Sequence, residues 1–114
     1  MAIRIKRAYE RPAKSDGLRI LVDRIWPRGV SKEALKLYRW EKELAPSTAL
    51  RIWFAHDPAK WAGFKRRYRA ELKKLRASVA ELRTLSQSHT VTLVYGAKDE
   101  RHNQAAALKE FLRR

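Results

Sequence analysis

Two short segments carry the residue types needed to hold an anion and to move a proton: Asp23, Arg24 and Arg28 in one, Lys98 and Asp99 in the other. Guanidinium forks match the oxygens of phosphate or carboxylate and keep their charge at any working pH, and a lysine adds a compact positive charge. Asp23 and Asp99 are the candidate general acid–base groups. Partial drying would raise their pKa values and neighbouring cations would lower them. Trp26, between the two arginines, could stack on a planar ligand or pack inward as a hinge for its loop, and inward packing is the expectation. Tyr95 and Asn103 offer a hydroxyl and an amide to a ligand; filling the core edge and capping the last helix are their plainer roles. Gly29 permits close backbone approach, and a helix capped by Ser31 would turn free N–H groups to the same region. There is no Walker spacing and no dinucleotide glycine triplet, so no cofactor is implied. The simpler reading of the first segment is that Asp23 pairs with an arginine to anchor the Trp26-Pro27 turn.

A second cationic feature is a stripe. On a helical wheel Lys65, Arg66, Arg69, Lys73 and Arg76 share an arc of about 100°, beside an aromatic core face. Such a stripe could follow a nucleic-acid backbone or lie on an anionic membrane, or it could be a solvated face whose long stems shield the core. No motif for reading bases accompanies it. The three histidines, His56, His89 and His102, lack metal-ligand spacing, and with no cysteine in the chain no metal site is expected. His56 reads as a turn residue before the Asp57 cap, with anion ligand or proton donor as the sharper alternative.

The chain around these residues has 114 amino acids, 27 Lys plus Arg against 12 Asp plus Glu, and a formal charge of +15. That length fits a single domain over residues 1–114 with an ordinary core and no staples. The charge exceeds what solubility needs and points to a partner or substrate rich in negative charge. No apolar run nears the roughly 18 residues of a membrane span, and residues 1–7 alternate charge with aliphatics instead of forming a signal-peptide stretch, so a cytoplasmic location is expected.

Ile3 to Tyr9 has the period-2 pattern of an edge strand. Leu18 to Val22 and Val91 to Tyr95, rich in consecutive aliphatics, read as central strands. Between them Ser31 can cap a short helix through Tyr38, Ser47 another to about Ala55, and Asp57-Pro58 a third. In the third, Trp61, Phe64, Tyr68, Leu72 and Leu75 mark one core-facing side. A helix from Pro58 to Ser86 would be about 43 Å long at 1.5 Å per residue, so a break is expected near Ala77, where Ser78 and Glu81 form a capping box. A last helix follows from about His102 to Leu112. The result is an α/β domain with a small, mostly parallel sheet and about five helices. In such sheets the pocket lies beyond the carboxyl ends of the strands, which places the residues after 22 and after 95 at one rim.

At these residues the chain resembles the YeaO-like family, small bacterial proteins grouped as a domain of unknown function. The resemblance covers essentially the whole length and rests above all on Leu21-Val22-Asp23-Arg24-Ile25-Trp26-Pro27-Arg28-Gly29. Ala45-Pro46-Ser47, Trp53-Phe54, His56-Asp57-Pro58 and Thr92-Leu93-Val94-Tyr95 through Lys98-Asp99 to Asn103 extend it. It implies a compact α/β domain and no established activity. The family usually shows Ala where Gly96 stands and His where Gln104 stands. A more distant branch has Cys and His near the positions of Tyr95 and Asn103, so no thiol chemistry carries over to this chain. The residues favour a module that binds phosphate-bearing partners, nucleic acid or nucleotide, through the strand-end arginines and the basic helix. The alternative is a small enzyme acting on a phosphate- or carboxylate-bearing metabolite, and a third reading is association with a membrane or ribosome through the stripe.

Overall fold

A computed structural model describes residues 2–114. Four strands, β1 (Ala2–Arg7), β2 (Leu18–Leu21), β3 (Arg39–Trp40) and β4 (Thr90–Tyr95), form one sheet in the order β1-β4-β2-β3. Every pairing is parallel, with Ile3 opposite Val91, Ile20 opposite Leu93 and Leu21 opposite Trp40. β4, buried from Val91 to Tyr95, lies inside the sheet, as its unbroken apolar run requires. β1 is the edge its alternating charges announced. The two-residue β3 on the opposite edge carries no strand signal in the sequence.

The helices are α1 (Lys32–Leu35), α2 (Thr48–Phe54), α3 (Trp61–Leu72), α4 (Arg76–Ser88) and α5 (Gln104–Leu112). Ser31 caps α1 by accepting from the Ala34 N–H, and Ser47 caps α2 by accepting from Leu50. Asp57 accepts from Ala59 and opens a 3₁₀ turn, Pro58–Lys60, that leads into α3. The main core joins Ile3, Ile20, Val22, Val91, Leu93 and Tyr95 of the sheet side to Phe54, Phe64, Tyr68, Leu72, Leu82 and Leu108 of α2 to α5. The other face of the sheet has a thinner cover: Leu21 and Val94 pack with Ala8 and Leu35, flanked by Trp26, Val30 and Trp40.

Several boundaries differ from the sequence reading, among them the end of β1, at Arg7 and not Tyr9, and the start of α5, at Gln104 and not His102. α1 stops at Leu35, where Lys36 takes a left-handed conformation, instead of reaching Tyr38. The break after α3 falls at 73–75 and not near Ala77, and Ser78 lies inside the first turn of α4 without capping it. Leu75 packs partly against the main core at the turn, so burial of an apolar side chain prevailed over a local capping signal. Arg76 therefore begins α4, and the basic stripe is divided between two helices.

Candidate functional site

The carboxyl ends of β2 and β4 open into one cavity of about 720 Å³, the volume of a small-molecule site. Its wall includes Asp23, Arg24, Trp26 and Arg28 after β2, Arg51, Phe54 and His56 from α2 and its end, and Gly96, His102, Asn103 and Gln104 after β4. The two remote segments thus share one rim.

Asp23 follows the last residues of β2 into this space. Its Oδ2 accepts the Gly96 N–H at 2.8 Å and its Oδ1 accepts from the Gln104 side-chain amide. Its own carbonyl is held by the Trp40 indole N–H at 2.7 Å. Burial pushes the Asp23 carboxyl up to about 6, against the Gly96 hydrogen bond and the charge of Arg51, which pull it down. No arginine forms an ion pair with it among the described residues. The turn is anchored by other means, which corrects the simpler reading of an Asp23–arginine pair.

Arg24 donates through Nε and Nη2 to the carbonyls of Pro46 and Ala45, at 3.3 and 3.2 Å, so its guanidinium is fixed at the cavity wall. Arg28 and Arg51 are exposed at the same cavity and make no side-chain hydrogen bond or ion pair with the described residues. Trp26 packs inward: its indole N–H donates to the Val30 carbonyl at 2.6 Å and its ring meets Trp40 edge-on at 5.3 Å. Gly29, at φ 78°, makes the turn between them. Exposed Ile25 and Ile52 stand at the cavity, with Phe54 and Phe64 giving it apolar wall.

Four expected site residues occupy quieter positions. Tyr95 is buried in the main core, where desolvation raises its hydroxyl pKa, and it does not line the cavity. Lys98 is exposed and outside the lining. Asp99 also lies outside it and accepts the N–H groups of Arg101 and His102, both at 2.9 Å, and pairs with the His102 ring; these bonds hold its carboxyl down at about 2. Asn103 touches the cavity but caps α5: Oδ1 accepts from Ala106 and Nδ2 donates to the Asp99 carbonyl.

On the stripe, Lys65 pairs with Glu110 at 3.3 Å and lies over the Trp61 ring, while Arg66 and Lys73 are exposed and Arg69 is half-buried. Among the described residues no cluster of His, Cys, Asp or Glu could hold a metal ion, and no helix is long and apolar enough to cross a membrane.

Arg51, His102 and Gln104 line the cavity with polar side chains although none of them was among the expected catalytic or ligand-binding residues. Arg51 follows Leu50 on a helix whose core positions are Leu50 and Phe54, so its position beside an inward face was legible, but which strand end that helix covers was not. His102 is steadied at the wall by Asp99 and by the Trp61 ring, which it meets edge-on at 5.3 Å.

A family model described as the inactive DUF488-N3 subclade matches residues 2–114. The chain is 42% identical over 113 residues to the uncharacterised protein YeaO of Escherichia coli, covering 99% of this chain and 98% of that one. It is 40% identical over 110 residues to uncharacterised proteins of Mycobacterium tuberculosis and Mycobacterium bovis, covering 96% of this chain and 92% of theirs. No solved structure matches it.

Proposed function

Given that the chain belongs to the YeaO-like family, the inactive DUF488-N3 subclade, we propose that it is a cytoplasmic binding protein that takes a phosphate-bearing partner in its strand-end cavity. The observation that carries this reading is the arginine set: Arg24 is fixed at the wall, while Arg28 and Arg51 have no carboxylate partner among the described residues. Three arginines lining one concave surface offer guanidinium groups suited to phosphate oxygens. α5 also begins at this wall with Asn103 and Gln104, and the positive end of a helix dipole adds to the field there. The description of the matching family model as inactive speaks against turnover.

The basic helix is the second part of the reading. Arg66 on α3 and Lys73 just after its end are exposed, and their cationic heads suit backbone phosphates of a nucleic acid without base reading. The alternative, a small enzyme acting on a phosphate- or carboxylate-bearing metabolite, draws on Asp23, whose pKa of about 6 suits proton transfer.

Titration calorimetry with pyrophosphate and with a single-stranded oligonucleotide separates these parts. Arg28→Ala with Arg51→Ala should abolish pyrophosphate binding. Arg66→Ala and Lys73→Ala together should weaken only the oligonucleotide and flatten its salt dependence. Pyrophosphate binding that survives the arginine pair removes the pocket from the proposal. Oligonucleotide affinity that stays level between low and moderate salt removes the helix.

A further inference from the structure

The cavity has cations on its walls and a carboxylate among them, and that combination restricts what can occupy it. Each Asp23 oxygen already accepts one hydrogen bond from the protein, from Gly96 and from Gln104. A carboxylate offers about four lone-pair sites, so roughly two remain for a ligand, one on each oxygen.

A phosphate placed against Asp23 would set like charges together in a partly dry space, which is unfavourable. The phosphate therefore belongs with Arg28 and Arg51. The part of the ligand that reaches Asp23 must bring hydrogen-bond donors and no negative charge. An ammonium group would meet this condition but would share the cavity with Arg24, Arg28 and Arg51, so neutral donors fit better. Two hydroxyls on adjacent carbons match the two oxygens of one carboxylate, and an acidic side chain binding a ribose hydroxyl at a strand end is a recurring solution in parallel sheets.

We propose that the cavity takes a phosphate ester bearing a vicinal diol, specifically a ribosyl phosphate, with the diol on Asp23 and the phosphate between Arg28 and Arg51. The inference rests on the anion-binding reading above and narrows it. The ligand has two possible sources, a pentose phosphate or a ribonucleotide. Phe54, Phe64, Ile25 and Ile52 provide apolar surface that a base could use and a bare sugar could not.

The test is calorimetry on the full chain with four probes: adenosine monophosphate, its 2′-deoxy counterpart, ribose 5-phosphate and ethanolamine phosphate. Hydrogen bonds to a charged acceptor predict that loss of one hydroxyl weakens binding about tenfold or more. The ribonucleotide should bind tighter than the deoxynucleotide by that factor, and Asp23→Ala should bring the two together. Ribose 5-phosphate equal to the ribonucleotide assigns the site to pentose phosphates; a weaker value assigns it to nucleotides. Equal affinity of ribo- and deoxynucleotide, both lost in Arg28→Ala with Arg51→Ala, overturns the diol while the anion pocket stands. Tighter binding of ethanolamine phosphate also overturns it. If no probe depends on the two arginines, the anion pocket itself fails. The ribo-to-deoxy ratio is read in the unmodified protein and so does not depend on how Asp23→Ala folds.

Discussion

The Asp23 carboxylate accepts the Gly96 N–H at 2.8 Å, tying the second residue after β2 to the first residue after β4. This bond joins the two segments whose side chains form the cavity wall, so the carboxylate staples the strand ends together at the cavity.

Asp23 makes stability depend on pH in an unusual direction. Its folded pKa is raised from 3.8 to about 6, so the folded state holds this proton more tightly than the unfolded one. Stability from this group is fully present below about pH 4 and is lost as pH rises through 6, by at most about 3 kcal/mol. Asp23→Asn should remove that loss, and urea unfolding at pH 5 and pH 8 should show the variant gaining relative to the parent at pH 8. Asp99, held down at about 2, acts in a separate window, with its contribution lost only in strong acid. Equal differences at the two pH values would refute the prediction for Asp23.

On the other sheet face Asp16 and Arg19 form a buried pair at 2.7 Å, joined by Lys6 at 3.1 Å. Arg19 also donates to the Leu35 carbonyl, and its Nη2 has no partner among the described residues. Asp16→Ala leaves a buried guanidinium without its counter-charge and should cost about 3–5 kcal/mol. Adding Arg19→Met should recover much of the loss, measurable by chemical denaturation. A double variant no more stable than Asp16→Ala would show that packing, not the orphaned charge, sets the cost.

Gly17 sits at φ 65°, and a Cβ there would clash with the Thr90 carbonyl oxygen. Gly17→Ala should therefore destabilise by about 2 kcal/mol or more, through strain and displacement of the start of β4. Gly96 differs, since its Cβ would meet only the Asp23 carboxylate, at 3.0 Å. Gly96→Ala should be nearly neutral in thermal melting while shifting the titration of Asp23 followed by NMR. Similar melting losses in both variants would contradict this contrast.

Glu71 on α3 accepts the Ser47 N–H at 2.9 Å and the Ser47 hydroxyl at 2.6 Å, which positions the start of α2 and with it Arg51. Glu71→Ala should cost about 1–3 kcal/mol and weaken pyrophosphate binding several-fold by loosening α2. Glu71→Gln, which keeps an acceptor, should lose less of both. Unchanged pyrophosphate affinity in Glu71→Ala would separate the position of α2 from the site.

The sequence by itself determined the elements whose signals are local. The alternation in β1, the apolar runs of β2 and β4, the Ser31, Ser47 and Asp57 caps and the aromatic side of α3 each depend on neighbours within a few residues, and all stand where those patterns put them. The parallel sheet and the shared rim after Val22 and Tyr95 followed from the order of the elements. Tertiary structure alone decided which cations face the cavity. Arg51 lines it because α2 passes over the strand ends, while Lys98, in the loop after β4, does not. It also decided that Asp23 is dry enough to titrate near 6 and is held by Gln104, 81 positions away. It placed Asp16, between β1 and β2, against a buried arginine. Burial and long-range hydrogen bonds come from chain segments far apart in sequence, and local periodicity carries no record of them.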